Sequence, residues 1–97
     1  MGKLTLDQVI DKVDDIPALP SVVSEVTKLT EDPNSTPHDI EKVVIRDQSL
    51  TTRVLRLANS AYYGFPRRIN TISEATILLG FNAIRSITLS AAVSNVL

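Results

Sequence analysis

The sequence contains no cysteine, no tryptophan, one histidine and three glycines. The lack of cysteine excludes disulfides, thiolate metal sites and a cysteine nucleophile. Three scattered glycines form no glycine-rich phosphate-binding loop. The first residues also lack the apolar core of a signal peptide, and Leu6 stands where an N-myristoylation motif requires serine or threonine.

The net charge is also small, because the chain has ten basic and eleven acidic residues and so a formal charge of −1. Such a chain has no general attraction to nucleic acid or to an anionic membrane. Its 43% apolar and 22% charged residues are ordinary for a globular protein and argue against disorder. We expect one small domain over residues 1–97, located in the cytoplasm.

The sequence does contain a regular series of helix start and stop signals. The predicted starts are Thr5, Pro20, Thr36-Pro37, Asp47, Thr71 and Asn82. The predicted stops and turns are Pro17, Asp32-Pro33-Asn34, Gly64-Phe65-Pro66 and Gly80, with a loop over 67–70. Strand-like alternation is absent from the sequence. We therefore predict an all-α fold, a compact bundle of five or six helices with no sheet.

Most of the predicted helices carry an apolar stripe at helical spacing, which is the face expected to be buried. The stripes are Leu6, Val9, Ile10 and Val13; Val22, Val26 and Leu29; Ile40, Val43 and Val44; and Leu50, Val54, Leu57, Ala58 and Ala61. The last predicted helix differs, since Arg85 is the only charged residue from position 81 onward. A helix that is apolar on nearly all sides is expected to be buried against other polypeptide. This could be further residues of the protein, another chain or the upstream helices.

Four strings of the sequence carry a resemblance to a known family. They are Leu19-Pro20, Val44-Ile45-Arg46-Asp47, Val54-Leu55-Arg56-Leu57-Ala58-Asn59-Ser60-Ala61-Tyr62-Tyr63-Gly64, and Ile72-Ser73-Glu74-Ala75 through Leu79-Gly80. Together these strings resemble the HDOD domain, an HD-related output domain of bacterial signalling proteins, over residues 15 to 94.

The resemblance implies an all-helical fold related to the HD phosphohydrolases, but generally without their metal ligands. It also implies a relay or output role beside receiver or cyclic-dinucleotide domains, as in two-component systems. Complete HDOD domains are longer, so the resemblance implies that this chain is the N-terminal part of one.

His38-Asp39 is the only dipeptide that suggests the metal chemistry of an HD phosphohydrolase. Such an enzyme needs several ligands converging from different helices to activate a water molecule. One histidine and one aspartate supply two ligands at most. We interpret Asp39 as a first-turn residue that favours the positive end of the helix dipole, and His38 as exposed. We therefore expect no catalytic, metal or cofactor site.

A basic patch is the other chemical alternative. Arg53, Arg56, Arg67 and Arg68 could bind a nucleotide or nucleic acid, with Tyr62, Tyr63 and Phe65 stacking on bases. The simpler interpretation pairs the arginines with acidic residues and packs a tyrosine beneath a helix end. Likewise, we interpret Asn59, Ser60 and Gly64 as residues that end a helix.

The function that the sequence favours is a non-catalytic signalling module that acts through protein–protein contact. A protein partner or a sister subunit would bind the apolar last helix, and a chain that ends here would form a homo-oligomer. We expect no membrane association, and nucleotide binding and metal-dependent hydrolysis remain the alternatives.

Overall fold

The computed structural model describes residues 16–60 and 63–92. They form α1 (Pro20–Glu31), α2 (Pro37–Val44), α3 (Gln48–Ala58), α4 (Ile72–Leu79) and α5 (Phe81–Ala92), and no strand occurs among them. The all-α prediction is confirmed. The helix predicted from Thr5 to Asp15 lies outside the described residues, as do Ala61, Tyr62 and the last five positions.

Four helices begin where the sequence predicts. Pro20 occupies the first position of α1, where its missing N–H breaks no helical bond. The side chain of Thr36 accepts a hydrogen bond from the N–H of Asp39. The Asp39 carboxylate in turn accepts one from the N–H of Thr36, which completes a capping box. Asp47 caps α3 through the N–H of Leu50 at 3.0 Å.

The capping box predicted at Thr71 and Glu74 is only half formed. Thr71 accepts from the N–H of Glu74 at 3.1 Å. The Glu74 carboxylate instead accepts from the N–H of Asn70 at 3.5 Å and pairs with Arg67. Arg67 therefore holds Glu74 over the loop before α4 rather than over the cap residue.

The start of α5 corrects the sequence prediction. The helix begins at Phe81 rather than after Asn82, because Gly80 turns the chain within one residue. Gly80 adopts φ 92° and ψ 159°, its N–H donates to Thr76, and its carbonyl accepts from Ile84. Such a backbone conformation is almost confined to glycine. The axes of α4 and α5 consequently bend by 114° at this joint.

The core draws on all five helices and on the loop before α4. Its buried apolar residues are Ala18, Val22, Val26, Ile40, Val44, Leu50, Val54, Ala58, Ile69, Ile72, Ala75, Ile84 and Ala91. The predicted stripes account for most of this set. Leu57, which the spacing also predicts to be buried, is only half-buried. It lines an open cleft of about 350 Å³ between α3 and α5, beside Arg53 and Ile87.

Polar links tie the N-terminal helices to the rest. The Asp47 carboxylate accepts from the N–H of Leu19 at 2.6 Å, which fixes the entry to α1 against the start of α3. The Glu41 carboxylate accepts from the hydroxyl of Ser73 at 2.9 Å and joins α2 to α4. These contacts set the helix arrangement that positions the surfaces below.

No single described helix is both long enough and apolar enough to cross a membrane. Taken together, α4 and α5 reach the required length and composition, but they are bent by 114°.

Candidate functional site

His38 and Asp39 lie in the first turn of α2. The His38 side chain is 73% exposed, and its Nδ1 lies 3.8 Å from the Glu41 carboxylate. Asp39 completes the cap of α2, and the hydrogen bond from the Thr36 N–H lowers its pKa. The predicted first-turn position is confirmed. Residues 16–60 and 63–92 hold no group of three or more histidine, aspartate or glutamate side chains that could bind a metal.

The four arginines of the predicted basic patch have different contacts in the structure. Arg67 pairs with Glu74, as the simpler interpretation predicts. Arg53 donates to the carbonyl of Ile16 at 2.9 Å, next to the entry of α1. Arg56 and Arg68 instead line the same cavity, although they come from α3 and from the following loop. Two of the four therefore converge, and a third lies beside them.

That cavity is about 410 Å³ in volume and lies at the C-terminal end of α3. Its lining residues are Thr52, Leu55, Arg56, Asn59, Ser60 and Arg68. A second cavity of about 320 Å³ adjoins it, lined by Arg53, Arg56, Leu57 and Ser60. Arginine and hydroxyl groups line both cavities, the Asn59 amide lines the first, and neither lining includes an acidic side chain among the described residues.

Asn59, which lines the first cavity, forms a network of hydrogen bonds that the sequence does not predict. Asn59 donates to the carbonyl of Leu55 at 2.9 Å, so its predicted role at the helix end is confirmed. The same side chain also donates to the carbonyl of Ile69 at 2.8 Å and accepts from its N–H at 2.7 Å. Because Ile69 is buried and ten residues away, no local signal reveals this contact.

Asp47 is a second residue whose role exceeds the prediction. Its buried carboxylate accepts from the Ser49 hydroxyl as well as from the backbone of Leu50 and Leu19. Burial raises the pKa of Asp47, but the hydrogen bonds from Leu19, Leu50 and Ser49 outweigh it and hold that pKa below its ordinary value. The Asp47 carboxylate therefore stabilises the fold as a charged hydrogen-bond acceptor.

Two aromatic residues near this region, Tyr63 and Phe65, contact each other. The rings of Tyr63 and Phe65 stack with centroids 5.7 Å apart and planes 12° from parallel. Phe65 also packs against the core. The proposed base-stacking role of Tyr62 falls outside the described residues. Gly64 has φ 62°, which agrees with its predicted role at the end of a helix.

Exposed apolar residues form the other distinctive feature of the surface. Ile77 and Leu78 on α4 are 69% and 42% exposed, and Leu89 on α5 is 45% exposed. We call these three residues the C-terminal apolar surface. Arg85, the charged residue of α5, pairs with Glu31 of α1 at 2.7 Å. The charge of α5 is therefore directed toward α1.

Known structures contain the same helix arrangement. A response regulator, MmoQ from Methylococcus capsulatus, superposes with a TM-score of 0.67 at 26% identity and covers 84% of this chain. An HDOD domain protein of unknown function from Geobacter sulfurreducens gives a TM-score of 0.56 at 31% identity over 90% of this chain. This chain spans 34% and 29% of those two structures.

Sequence comparison leads to the same family. An uncharacterized protein of Treponema pallidum is 35% identical over 89 residues, which are 92% of this chain and 17% of that relative. A model of the HDOD domain matches residues 16–97, which include every described helix. This chain belongs to the HDOD domain family.

Proposed function

We propose that this chain is a non-catalytic relay module of a signalling protein, and that it acts by binding another polypeptide through its C-terminal apolar surface. The observation that carries the proposal is the exposure of Ile77, Leu78 and Leu89 on two consecutive helices. Large apolar side chains exposed in this way favour contact with another protein surface, because burial would remove them from water.

Two further observations support this function. The charge of Arg85 is already matched by Glu31, so α5 offers an apolar partner little unpaired charge to desolvate. HDOD membership and the likeness to a response regulator fit a role in signalling. A cytoplasmic location would suit such a relay and belongs to the same proposal.

The non-catalytic part of the proposal rests on the donor groups of the chain. The single histidine is exposed on α2, and among the described residues only the Glu41 carboxylate lies within ion-pair distance of it. A metal phosphohydrolase requires several convergent ligands to generate its nucleophile. We expect no phosphodiesterase activity from the chain with Mn²⁺ or Fe²⁺; activity that depends on His38 would overturn this part.

The interaction surface is tested by self-association and dye binding. Sedimentation equilibrium over a wide concentration range should show oligomers, or an apolar dye should bind the monomer. Ile77→Lys and Leu89→Lys should each weaken whichever signal the parent chain gives. A chain that stays monomeric at high concentration and binds no dye would refute the proposed surface.

Ile45→Lys is the matched control. Ile45 is 58% exposed, similar to the residues under test, but it lies at the C-terminal end of α2 rather than on α4 or α5. It should leave self-association and dye binding unchanged. Equal loss in Ile45→Lys and Leu89→Lys would mean that the signal reflects general apolar exposure rather than the C-terminal apolar surface.

A further inference from the structure

An open groove of about 330 Å³ lies between α1 and α2. Each helix contributes three lining residues, which are Glu25, Lys28 and Leu29 of α1 and Asp39, Lys42 and Val43 of α2. We call these six residues the α1–α2 groove. On both helices the lining residues are spaced three and four apart, so the groove is about one helical turn long. A groove of this length can hold one large side chain of a ligand.

The floor of the α1–α2 groove is apolar. Leu29 and Val43 are half-buried, and both pack against the core. The parts of these side chains that remain accessible line the groove. An apolar side chain bound there would be removed from water together with them, which favours binding.

The two carboxylates of the groove already have donors within the chain. Glu25 forms an ion pair with Arg46. The Asp39 carboxylate accepts from the N–H of Thr36 and lies in the first turn of α2, where the helix dipole favours negative charge. The negative charges of the groove are therefore matched by groups of the chain itself.

The two lysines of the groove are not matched in this way. Lys28 and Lys42 are exposed, and neither forms a hydrogen bond or an ion pair with another residue that the structure describes. Lys42 acts on Asp39 only through its charge, which helps to lower the pKa of that carboxyl. One ammonium group thus stands on each helix, next to the apolar floor, with its donors available to a ligand.

From this arrangement we propose that the α1–α2 groove binds a short acidic segment of a partner protein. One large aliphatic side chain of that segment packs on Leu29 and Val43, and carboxylates on either side of it pair with Lys28 and Lys42. Such charge complementarity selects an acidic partner over a basic one. The groove shares no residue with the C-terminal apolar surface, so the inference goes beyond the proposed function and does not depend on it.

The test is an NMR titration of the 97-residue chain at low ionic strength with three end-blocked peptides. They are Glu-Glu-Leu-Glu-Glu, Glu-Glu-Ser-Glu-Glu and Lys-Lys-Leu-Lys-Lys. The first should bind saturably and shift the amide signals of Leu29 and Val43 most. The serine peptide should bind about tenfold more weakly, because it lacks the apolar anchor. The lysine peptide should bind more weakly than the first, because its charges repel Lys28 and Lys42.

Lys28→Gln and Lys42→Gln should each raise the Kd of Glu-Glu-Leu-Glu-Glu about threefold, the size expected for an exposed ion pair. The double variant with Lys28→Glu and Lys42→Glu should reverse the preference and bind the lysine peptide more tightly than the glutamate peptide. Both positions are exposed, so these variants leave the core intact.

Arg68→Gln is the matched control for charge. Arg68 is also exposed, but it lies in the loop before α4 and does not line the groove. The substitution removes the same charge, and the Kd should equal that of the parent chain. Leu89→Ser, which alters the C-terminal apolar surface, should also leave the Kd unchanged.

Four results would overturn the proposal. They are no saturable binding of Glu-Glu-Leu-Glu-Glu, equal affinity for the glutamate and lysine peptides, an unchanged Kd in both Lys28→Gln and Lys42→Gln, and the largest amide shifts at Ile77, Leu78 or Leu89. The last would assign the acidic peptide to the C-terminal apolar surface instead.

Discussion

The side-chain amide of Asn59 pairs with both backbone groups of Ile69, accepting from its N–H at 2.7 Å and donating to its carbonyl at 2.8 Å. The contact imitates the pairing of two strands and attaches the loop before α4 to the end of α3. Since the Ile69 side chain is 1% exposed, this pairing also holds a core residue in place.

Asn59→Ala should destabilise the chain strongly. The change removes three hydrogen bonds and leaves the backbone groups of Ile69 without their partner, at an expected cost of about 2–4 kcal/mol in the free energy of unfolding. Urea denaturation measures it. Asn82→Ala, at an exposed position of α5, is the control and should change stability by less than about 0.5 kcal/mol. Equal effects would contradict the role of Asn59.

Asp47→Ala should also destabilise, by about 1–3 kcal/mol at neutral pH, because it removes the cap of α3 and the bond to Leu19. Asp32→Ala is the control, since Asp32 is exposed and accepts from Asn34 in a turn. Chemical denaturation of both variants measures the difference. A similar loss in the two would argue against a special role for Asp47.

The contribution of Asp47 depends on pH in a defined direction. Folding lowers its pKa, so the folded state favours the carboxylate. The stabilisation is complete above the pKa of the unfolded chain, near 3.8, and is lost as the pH falls through the folded pKa. The stability gap between the parent chain and Asp47→Asn should therefore narrow below about pH 4. A gap that widens on acidification would contradict this sign.

Gly80→Ala isolates a backbone effect. An added Cβ at Gly80 would meet no atom within 4 Å, so the cost comes from φ 92° alone. We expect a loss of about 1–3 kcal/mol in the free energy of unfolding. Replacement by D-alanine through chemical ligation is the control and should restore most of the loss, because the mirror conformation is extended. Equal losses for both alanines would show that crowding rather than φ is responsible.

Leu50→Ala and Leu57→Ala should differ, although both positions belong to one apolar stripe. Leu50 is fully buried, and its truncation should cost about 2–5 kcal/mol. Leu57 is only half-buried beside the cleft between α3 and α5, and about 1 kcal/mol is expected. Thermal or urea denaturation of the pair measures this. Equal costs would mean that the cleft is closed in solution.

The sequence by itself determined the helical class, the starts of α1 to α4 and most of the core. Prolines, capping side chains and glycines act within one turn of the backbone, and apolar spacing follows from the helix period, so both are local properties. For the same reason the sequence placed Asp39 at the start of α2 and Gly80 at the end of α4.

Only the tertiary structure decided how distant residues meet. Packing places Arg56 and Arg68 around one cavity, whereas Arg67 forms an ion pair with Glu74. It also allows the hydrogen bonds between Asn59 and Ile69. It also left Leu57 half-buried, because the depth of burial depends on which helix lies opposite and not on spacing along α3. Contacts across the bundle arise from packing, and sequence spacing carries no measure of them.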